Sequence, residues 1–346
     1  MKINLFKIIF IHLFLIVLQV SAQKTDTLVC NSACDCDHDL TPIGVLSGHI
    51  HKRNEWMITG QYMNMSMVGI RNGSQKLASG EILQQYTSEP TIMNMNMYML
   101  MLMGGITDKI TGMLMLGYDT RYMEMQMKMG NKIHTHGMNT SGMSDTKVQF
   151  MISTFKSSEI HLISTVGMSL PTGSIRQLGE AQSTMYPKQV MPYSMQLGSG
   201  TYDMILGLHC NYQTSRLSIG LLLNANIRNG YNTLGYRLGN EFESCVWSAY
   251  QWTEGVSSSL RVNWVHTTNI KGMNILLNNP SDITANSINY GGTRLNVFIG
   301  ASYRSTIVLL HPFRIRVEYG IPFYQNLNGK QMTIKNYLNT DLSYFF

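Results

Sequence analysis

Methionine stands at every second position over long stretches of this chain. The runs are Met63, Met65, Met67; Met93, Met95, Met97, Met99, Met101, Met103; Met113, Met115; and Met123, Met125, Met127, Met129. A period of two places a whole run on one face of an extended strand, because successive side chains of a strand point to opposite sides. The alternation continues after the methionines stop. Leu217, Ile219, Leu221 and Leu223 interleave with Ser218, Gly220, Leu222 and Asn224. Leu295, Val297, Ile299, Ala301 and Tyr303 interleave with Arg294, Asn296, Phe298, Gly300 and Ser302, and Phe313, Ile315, Val317 and Tyr319 with Arg314, Arg316 and Glu318.

The second row of each strand decides between two all-β solutions. A soluble sandwich turns its polar row to bulk water and fills it with Lys and Glu. Here that row mixes Gly, Asn, Ser and scattered charges, which suits a wet lumen behind a lipid-facing wall. Only 13% of the 346 residues are charged, against about a quarter in soluble domains. Beyond the amino terminus there is no apolar run long enough for a membrane-spanning helix. The expected fold is an all-β, transmembrane, antiparallel up-and-down β-barrel of about twelve strands. The net charge of +6 carries no Lys/Arg cluster, so nucleic acid is not an expected partner.

The expected organisation has three parts. Residues 1–23 read as a secretory signal peptide: Lys2 and Lys7, an apolar stretch from Ile8 to Val20, then small residues at Ser21-Ala22-Gln23. Residues 24–54 read as a periplasmic leader bearing Cys and His, and residues 55–346 as the outer-membrane barrel. Strands are expected near 55–67, 92–104, 109–129, 145–156, 159–169, 201–213, 216–229, 240–253, 258–273, 293–304, 312–325 and 330–346. Short turns then alternate with long polar loops at 68–91, 130–144, 170–200, 230–239 and 274–292. Short turns belong in the periplasm and long loops outside. In the last strand Leu338, Leu342, Tyr344 and Phe346 share one face, Asn339, Asp341 and Ser343 the other. A final amphipathic strand closing on an aromatic resembles the signal read by the barrel-assembly machinery, the expected partner besides outer-membrane lipid.

The methionine rows run on into Thr59 and Gln61, and into Asp119 and Arg121, so they are assigned to the lumen. Opposite them lie Asn64, Ser66, Asn94, Asn96, Glu124, Gln126 and Lys128. That polar row is costly in hydrocarbon, and places these strand ends above the bilayer. The result is a Met-lined wall near the extracellular mouth, open to three readings. Thioether sulfur binds Cu(I) or Ag(I), and His134 and His136 follow the last run. Met63, Met65, Met67, Met93, Met95, Met97, Met123, Met125, Met127, Met129, His134 and His136 are therefore candidate ligands for a copper or silver ion as cargo. Flexible, polarizable methionine also suits small hydrophobic or aromatic organics. The third reading is packing in a barrel closed to solutes.

Cys34, Cys36 and His38 form a second candidate soft-metal set, near Cys30. A disulfide among the cysteines explains the spacing equally well in an oxidising periplasm. Cys210 and Cys245 read as lone apolar-face residues. Asp203, Arg261, Arg314, Arg316 and Glu318 are expected to pair within the lumen. No nucleophile elbow or His-Glu-x-x-His motif stands out, so no enzyme or resident cofactor is expected.

The run from Gly48 to Met57, the Tyr62-Met63-x-Met65-x-Met67-x-Gly69-x-Arg71 segment, Met93 to Met103 and the Thr107-Asp108-Lys109 turn together resemble the opening of Met-rich, transporter-like outer-membrane barrels. These are loosely grouped with phenol-degradation-pathway (MetA-type) proteins. The likeness covers residues 44–129 and implies a transporter-like role. Asn54 and Ile50 depart from the pattern of Gly before Glu-Trp and Met between the two His.

Overall fold

The alternating segments do form strands, and the strands close on themselves. The computed structural model describes residues 39–78, 80–130, 132–179, 188–277, 282–305 and 313–346. The signal peptide and Cys30, Cys34, Cys36 and His38 lie outside the described residues, as does His311. In chain order the strands are β1 (Trp56–Gly73), β2 (Gln75–Lys76), β3 (Ser88–Thr107), β4 (Ile110–Met129), β5 (Lys132–Met143), β6 (Thr146–Lys156), β7 (Ile160–Leu170) and β8 (Asp203–Gln213). They continue with β9 (Leu217–Arg228), β10 (Tyr236–Arg237), β11 (Glu241–Gln251), β12 (Val256–Thr267), β13 (Lys271–Gly272), β14 (Gly292–Arg304) and β15 (Phe313–Phe345).

Consecutive strands pair antiparallel around a ring, and β15 returns to pair with β1. With β2 and β5 outside the ring, 11 elements close it. An all-antiparallel ring cannot close on an odd number of crossings, and β15 resolves the parity. Its residues up to Leu327 pair with β14, and those from Leu327 onward pair with β1. The strand folds back at Gly329, whose φ of 68° belongs to the left-handed region that glycine adopts freely. Contacts between the two arms follow, Arg316 to Asp341 and Asn339 to Glu318. The membrane is thus crossed twelve times, as the periodicity predicted. The seam is sealed by reciprocal backbone bonds, Trp56 N to Phe346 O at 2.8 Å and Phe346 N to Trp56 O at 2.9 Å.

The two faces divide as expected. Leu206, Leu208, Ile219, Leu221, Leu223, Val246, Leu260, Val262 and Ile299 are exposed on the outside. Trp252, Tyr303 and Phe155 lie outward near the short turns, Trp264 and Phe323 nearer the long loops, in the manner of interfacial girdles. On the inside, Arg261, Arg314, Glu318, Asn339, Asp341 and Ser343 are buried.

Two expectations need correction. Residues 130–144, expected as a loop, contain strand β5, which pairs with the outer half of β4 from Tyr118 to Met129. The inner part of β4, Ile110 to Met115, pairs with β6. β4 therefore overshoots the ring and carries a projecting hairpin. Cys245 faces the lumen, buried beside Leu222, Trp247 and Ala249. Side chains at 245, 247 and 249 share the inward row, so the apolar face there is an inner one. Cys210 is on the outward row, and both thiols are free.

The polar row beside the methionines forms a ladder on the outer surface. Asn64 Nδ2 donates to Asn96 Oδ1 at 2.8 Å, Ser66 Oγ to Asn94 Oδ1 at 2.9 Å, and Asn96 Nδ2 to Thr120 Oγ1 at 3.2 Å. Amide pairs bonded to one another in this way fit strands standing above the hydrocarbon.

Candidate functional site

Three layers fill the lumen, and the candidate site lies in the outermost. At the end that carries the short turns, residues 39–54 of the expected leader run inside the barrel. Gly44 lies so close to Arg261 that an added Cβ would sit 2.2 Å from the guanidinium. Ile50 packs on Met57, Met101, Met103, Met113 and Met115, and Val45 on the Trp247 cluster opposite. The His51 backbone N–H donates to Thr111 Oγ1 at 2.8 Å. This segment acts as a plug. Burial and its neighbour His49 push the His51 imidazole down to about 3, so it is neutral in place.

A lattice of ion pairs surrounds the plug. Arg261 holds Glu318 (Nε–Oε1 3.0 Å, Nη2–Oε2 2.6 Å), Arg316 holds Asp341 (Nη2–Oδ2 2.5 Å), and Arg314 reaches Asp39 of the plug at 3.1 Å. Asp39 also meets His49 Nδ1 at 3.0 Å. Burial raises the Asp39 carboxyl, but His49 and Arg314 together hold it well below the usual carboxylate range. Asp203, the remaining expected member, pairs with Arg228.

Above the lattice the wall turns to sulfur. Cross-strand register sets Met63 opposite Met97, Met65 opposite Met95 and Met67 opposite Met93, then Met93 opposite Met123. Met93, Met95, Met123 and Met125 are buried here, with Met65, Met67, Met138 and Met332 against them. Met191 and Met195 join from the connection between β7 and β8. That connection, expected as an outer loop, folds inward. Asp145 accepts from Gly173 N (2.9 Å) and Ser199 N (2.8 Å), Thr140 Oγ1 donates to Met195 O (2.9 Å), and Arg121 Nη1 to Ser194 O (2.8 Å).

The same connection supplies Tyr193. Its ring lies edge-on to Tyr236 (centroids 4.9 Å) and Tyr290 (5.3 Å), and its hydroxyl accepts from Asn274 N at 2.8 Å. Burial pushes the Tyr193 and Tyr290 hydroxyls up and that of Tyr236 to about 12, so all three stay neutral. Between the tyrosine cap and the methionine wall lies a cavity of about 220 Å³. Its apolar lining includes Met67, Met93, Met95, Met123, Tyr193 and Tyr290, and its charged lining Arg121, Arg294 and Lys330.

The structure divides the expected site residues into groups. Met93, Met95 and Met123 line the cavity with Met67; Met65 and Met125 pack behind. Met63, Met97 and Met127 are half-buried in the same rows, and Met129 is 55% exposed at the hairpin tip. His134 and His136 lie on β5 directly opposite Met127 and Met125. Among the described residues no group of three or more His, Cys, Asp or Glu could hold a metal. Sequence reasoning missed Tyr193, Tyr290 and Arg294 as site residues. The legible signal was the apolar spacing of Met191, Tyr193, Met195 and Leu197 inside a supposed outer loop.

A closed ring of this connectivity has solved counterparts. The outer-membrane channel COG4313 from Pseudomonas putida F1 superposes with a TM-score of 0.56 at 13% identity, over 85% of this chain and 96% of that one. The chain has the fold of an outer-membrane channel barrel. A Pseudomonas aeruginosa FadL homologue gives a TM-score of 0.46 at 9% identity over 88% of this chain and 95% of that one. The Pseudomonas putida toluene transporter TodX gives 0.39 at 8%, over 84% and 89%. No family model matches the chain, and no curated protein matches it.

Proposed function

We propose that this barrel is a channel for small hydrophobic or aromatic organic molecules, captured in the methionine–tyrosine cavity on their way inward. The single observation that carries the reading is that cavity: about 220 Å³, with thioethers and neutral aromatic rings as the main apolar part of a lining that also holds Arg121, Arg294 and Lys330. An apolar protein cavity of roughly 150 Å³ already accommodates benzene, so a substituted single ring fits. Methionine conforms to differing shapes and makes favourable contacts with aromatic rings, and the two neutral phenols that line the cavity, Tyr193 and Tyr290, add edge-on partners. Below the cavity the plug occupies the lumen, so onward passage runs past residues 39–54. The test is uptake of benzyl alcohol into proteoliposomes. Faster entry than into protein-free vesicles, lost when Met93 and Met123 are changed to Gln, supports the reading; entry no faster than the lipid background overturns it.

A second reading has its own observation. Met125 faces His136 and Met127 faces His134 across β4 and β5, so four soft or borderline donors share one face of the projecting hairpin. Burial pushes the His136 imidazole down, leaving it neutral, the form that ligates metal. The further methionines at 63, 65, 67, 93, 95, 97, 123 and 129 would extend this path for copper or silver. Ag(I) titration of the folded barrel checks it: binding that survives His134→Ala with His136→Ala removes the hairpin from consideration. For Cys34, Cys36 and His38, thiol counting of the exported protein separates a metal set from a disulfide. Export through residues 1–23 and docking of the strand ending at Phe346 with the assembly machinery complete the proposed route to the outer membrane.

A further inference from the structure

Among the described residues, five arginines that face the lumen from the barrel wall hold carboxylates. Arg121 holds Asp119, Arg228 holds Asp203, Arg261 holds Glu318, Arg314 holds Asp39 and Arg316 holds Asp341. Arg294 projects inward from β14 on the same row as Asn296 and Phe298, and it lines the methionine–tyrosine cavity. Among the described residues it has no carboxylate within ion-pair distance and its buried Nε has no hydrogen-bond partner. The other two cations at the cavity are engaged. Arg121 is tied to Asp119 and the Ser194 carbonyl. Lys330 donates to Gln85 Oε1 and stands 4.8 Å from the Tyr86 ring centroid.

A half-buried guanidinium against apolar side chains loses part of its hydration, and an anion that brings acceptors restores it best. The fork of N–H donors matches a planar carboxylate, which it can bind through two parallel hydrogen bonds. The rest of the lining is mostly apolar, with sulfur, aromatic and aliphatic carbon beside the polar side chains of Thr284, Asn289 and Gln331, so an anion with an apolar body suits it. We infer that the cavity selects small monocarboxylates with an aromatic or aliphatic body, the carboxylate seated on Arg294 and the body among the methionines and Tyr193. This rests on the reading of the cavity as an organic-solute site and names the substrate class of that site. Lys330 adds positive potential at the rim, and Asp119 is already neutralised by Arg121, so no free carboxylate opposes entry among the residues that line the cavity.

The experiment compares two ligands with the same phenyl body, benzoate and benzyl alcohol, by isothermal titration into the folded barrel in detergent at pH 7. Wild type is expected to bind benzoate at least ten-fold more tightly than the alcohol. Arg294→Gln should weaken benzoate roughly ten- to hundred-fold, the range for a hydrogen-bonded charge, while leaving the alcohol within two-fold. Arg294→Lys, which keeps the charge and loses the fork, should fall between and serves as a folding control beside heat-modifiable gel mobility. Benzoate binding that is unchanged in Arg294→Gln, or wild-type preference for the alcohol, overturns the inference and leaves the organic-solute reading standing. If neither compound binds, both fall together.

Discussion

The two halves of this lumen are filled differently, one by a segment of the chain held in ion pairs and the other by methionines around a cavity. The half around the short turns sets residues 39–54 between a lattice of buried arginine–carboxylate pairs and a packed row of methionines. The half around the long loops is a wall of thioethers under a cap of tyrosines, with a cavity between. A paired guanidinium and carboxylate have one good geometry and a heavy cost for any other, so the lower half is held to a single arrangement. Methionine has three rotatable side-chain bonds and no polar group to satisfy, so the upper half accepts several. One end of the barrel is closed around its own chain, and the other leaves a cavity.

That contrast predicts a gradient of mutational cost. The largest effect belongs to the lattice. Glu318→Ala strands Arg261, 3% exposed, and should destabilise the barrel by about 3–5 kcal/mol, measured by urea unfolding in lipid vesicles. A loss under ~1 kcal/mol would erase the distinction between the halves. Next comes Met123→Ala, which opens space in the sulfur wall and should cost about 2–3 kcal/mol, whereas Met123→Leu should cost less than ~1.5 kcal/mol. Equal cost for both replacements would mean that the wall is rigidly packed and not adaptable.

Acid sharpens the comparison from the plug's side. His51 is neutral when seated, with its imidazole pushed down to about 3, while a released His51 titrates near its ordinary value. A depressed imidazole makes seating fully stable above about 6.5 and progressively weaker as pH falls towards 3, by about 1.4 kcal/mol per pH unit for one proton. Asp39 acts in the same direction at lower pH, since its stabilising charge is lost only as pH falls through its own depressed value. Single-channel conductance should rise between pH 6 and pH 4, and His51→Gln should flatten that rise; a response identical in the variant removes His51 from the account. The smallest effect is expected outside the barrel. Asn96→Ala breaks the ladder to Asn64 and Thr120, and should cost about 1 kcal/mol or less, measured in the same unfolding assay.

Much of the architecture was legible because a strand's period of two writes each residue's medium directly into the sequence. Ile219 and Leu221 face lipid while Ser218 and Gly220 face inward, and the same reasoning sends Met93 and Met95 inward with Asp119. It also foresaw partners for Arg261, Arg314 and Arg316, since inward charges in a narrow barrel need them. What it missed lies where periodicity has no grip. The β4–β5 hairpin read as a loop because His134, Thr135, His136 and Gly137 carry no apolar alternation; above the bilayer neither face of a strand needs to be greasy. The tyrosine cap was hidden because Tyr193, Tyr236 and Tyr290 sit in three separate connections.

From the order of residues alone came the strand period, the number of crossings, the inward methionine rows and the amphipathic last strand that ends on an aromatic. All of these are local consequences of alternating side chains meeting two different media. Only the folded molecule decided that residues 39–54 enter the lumen, that one connection turns inward to roof the sulfur wall, and that Arg294 faces the cavity without a carboxylate. These depend on contacts between segments far apart in the chain, which periodicity along one strand does not encode.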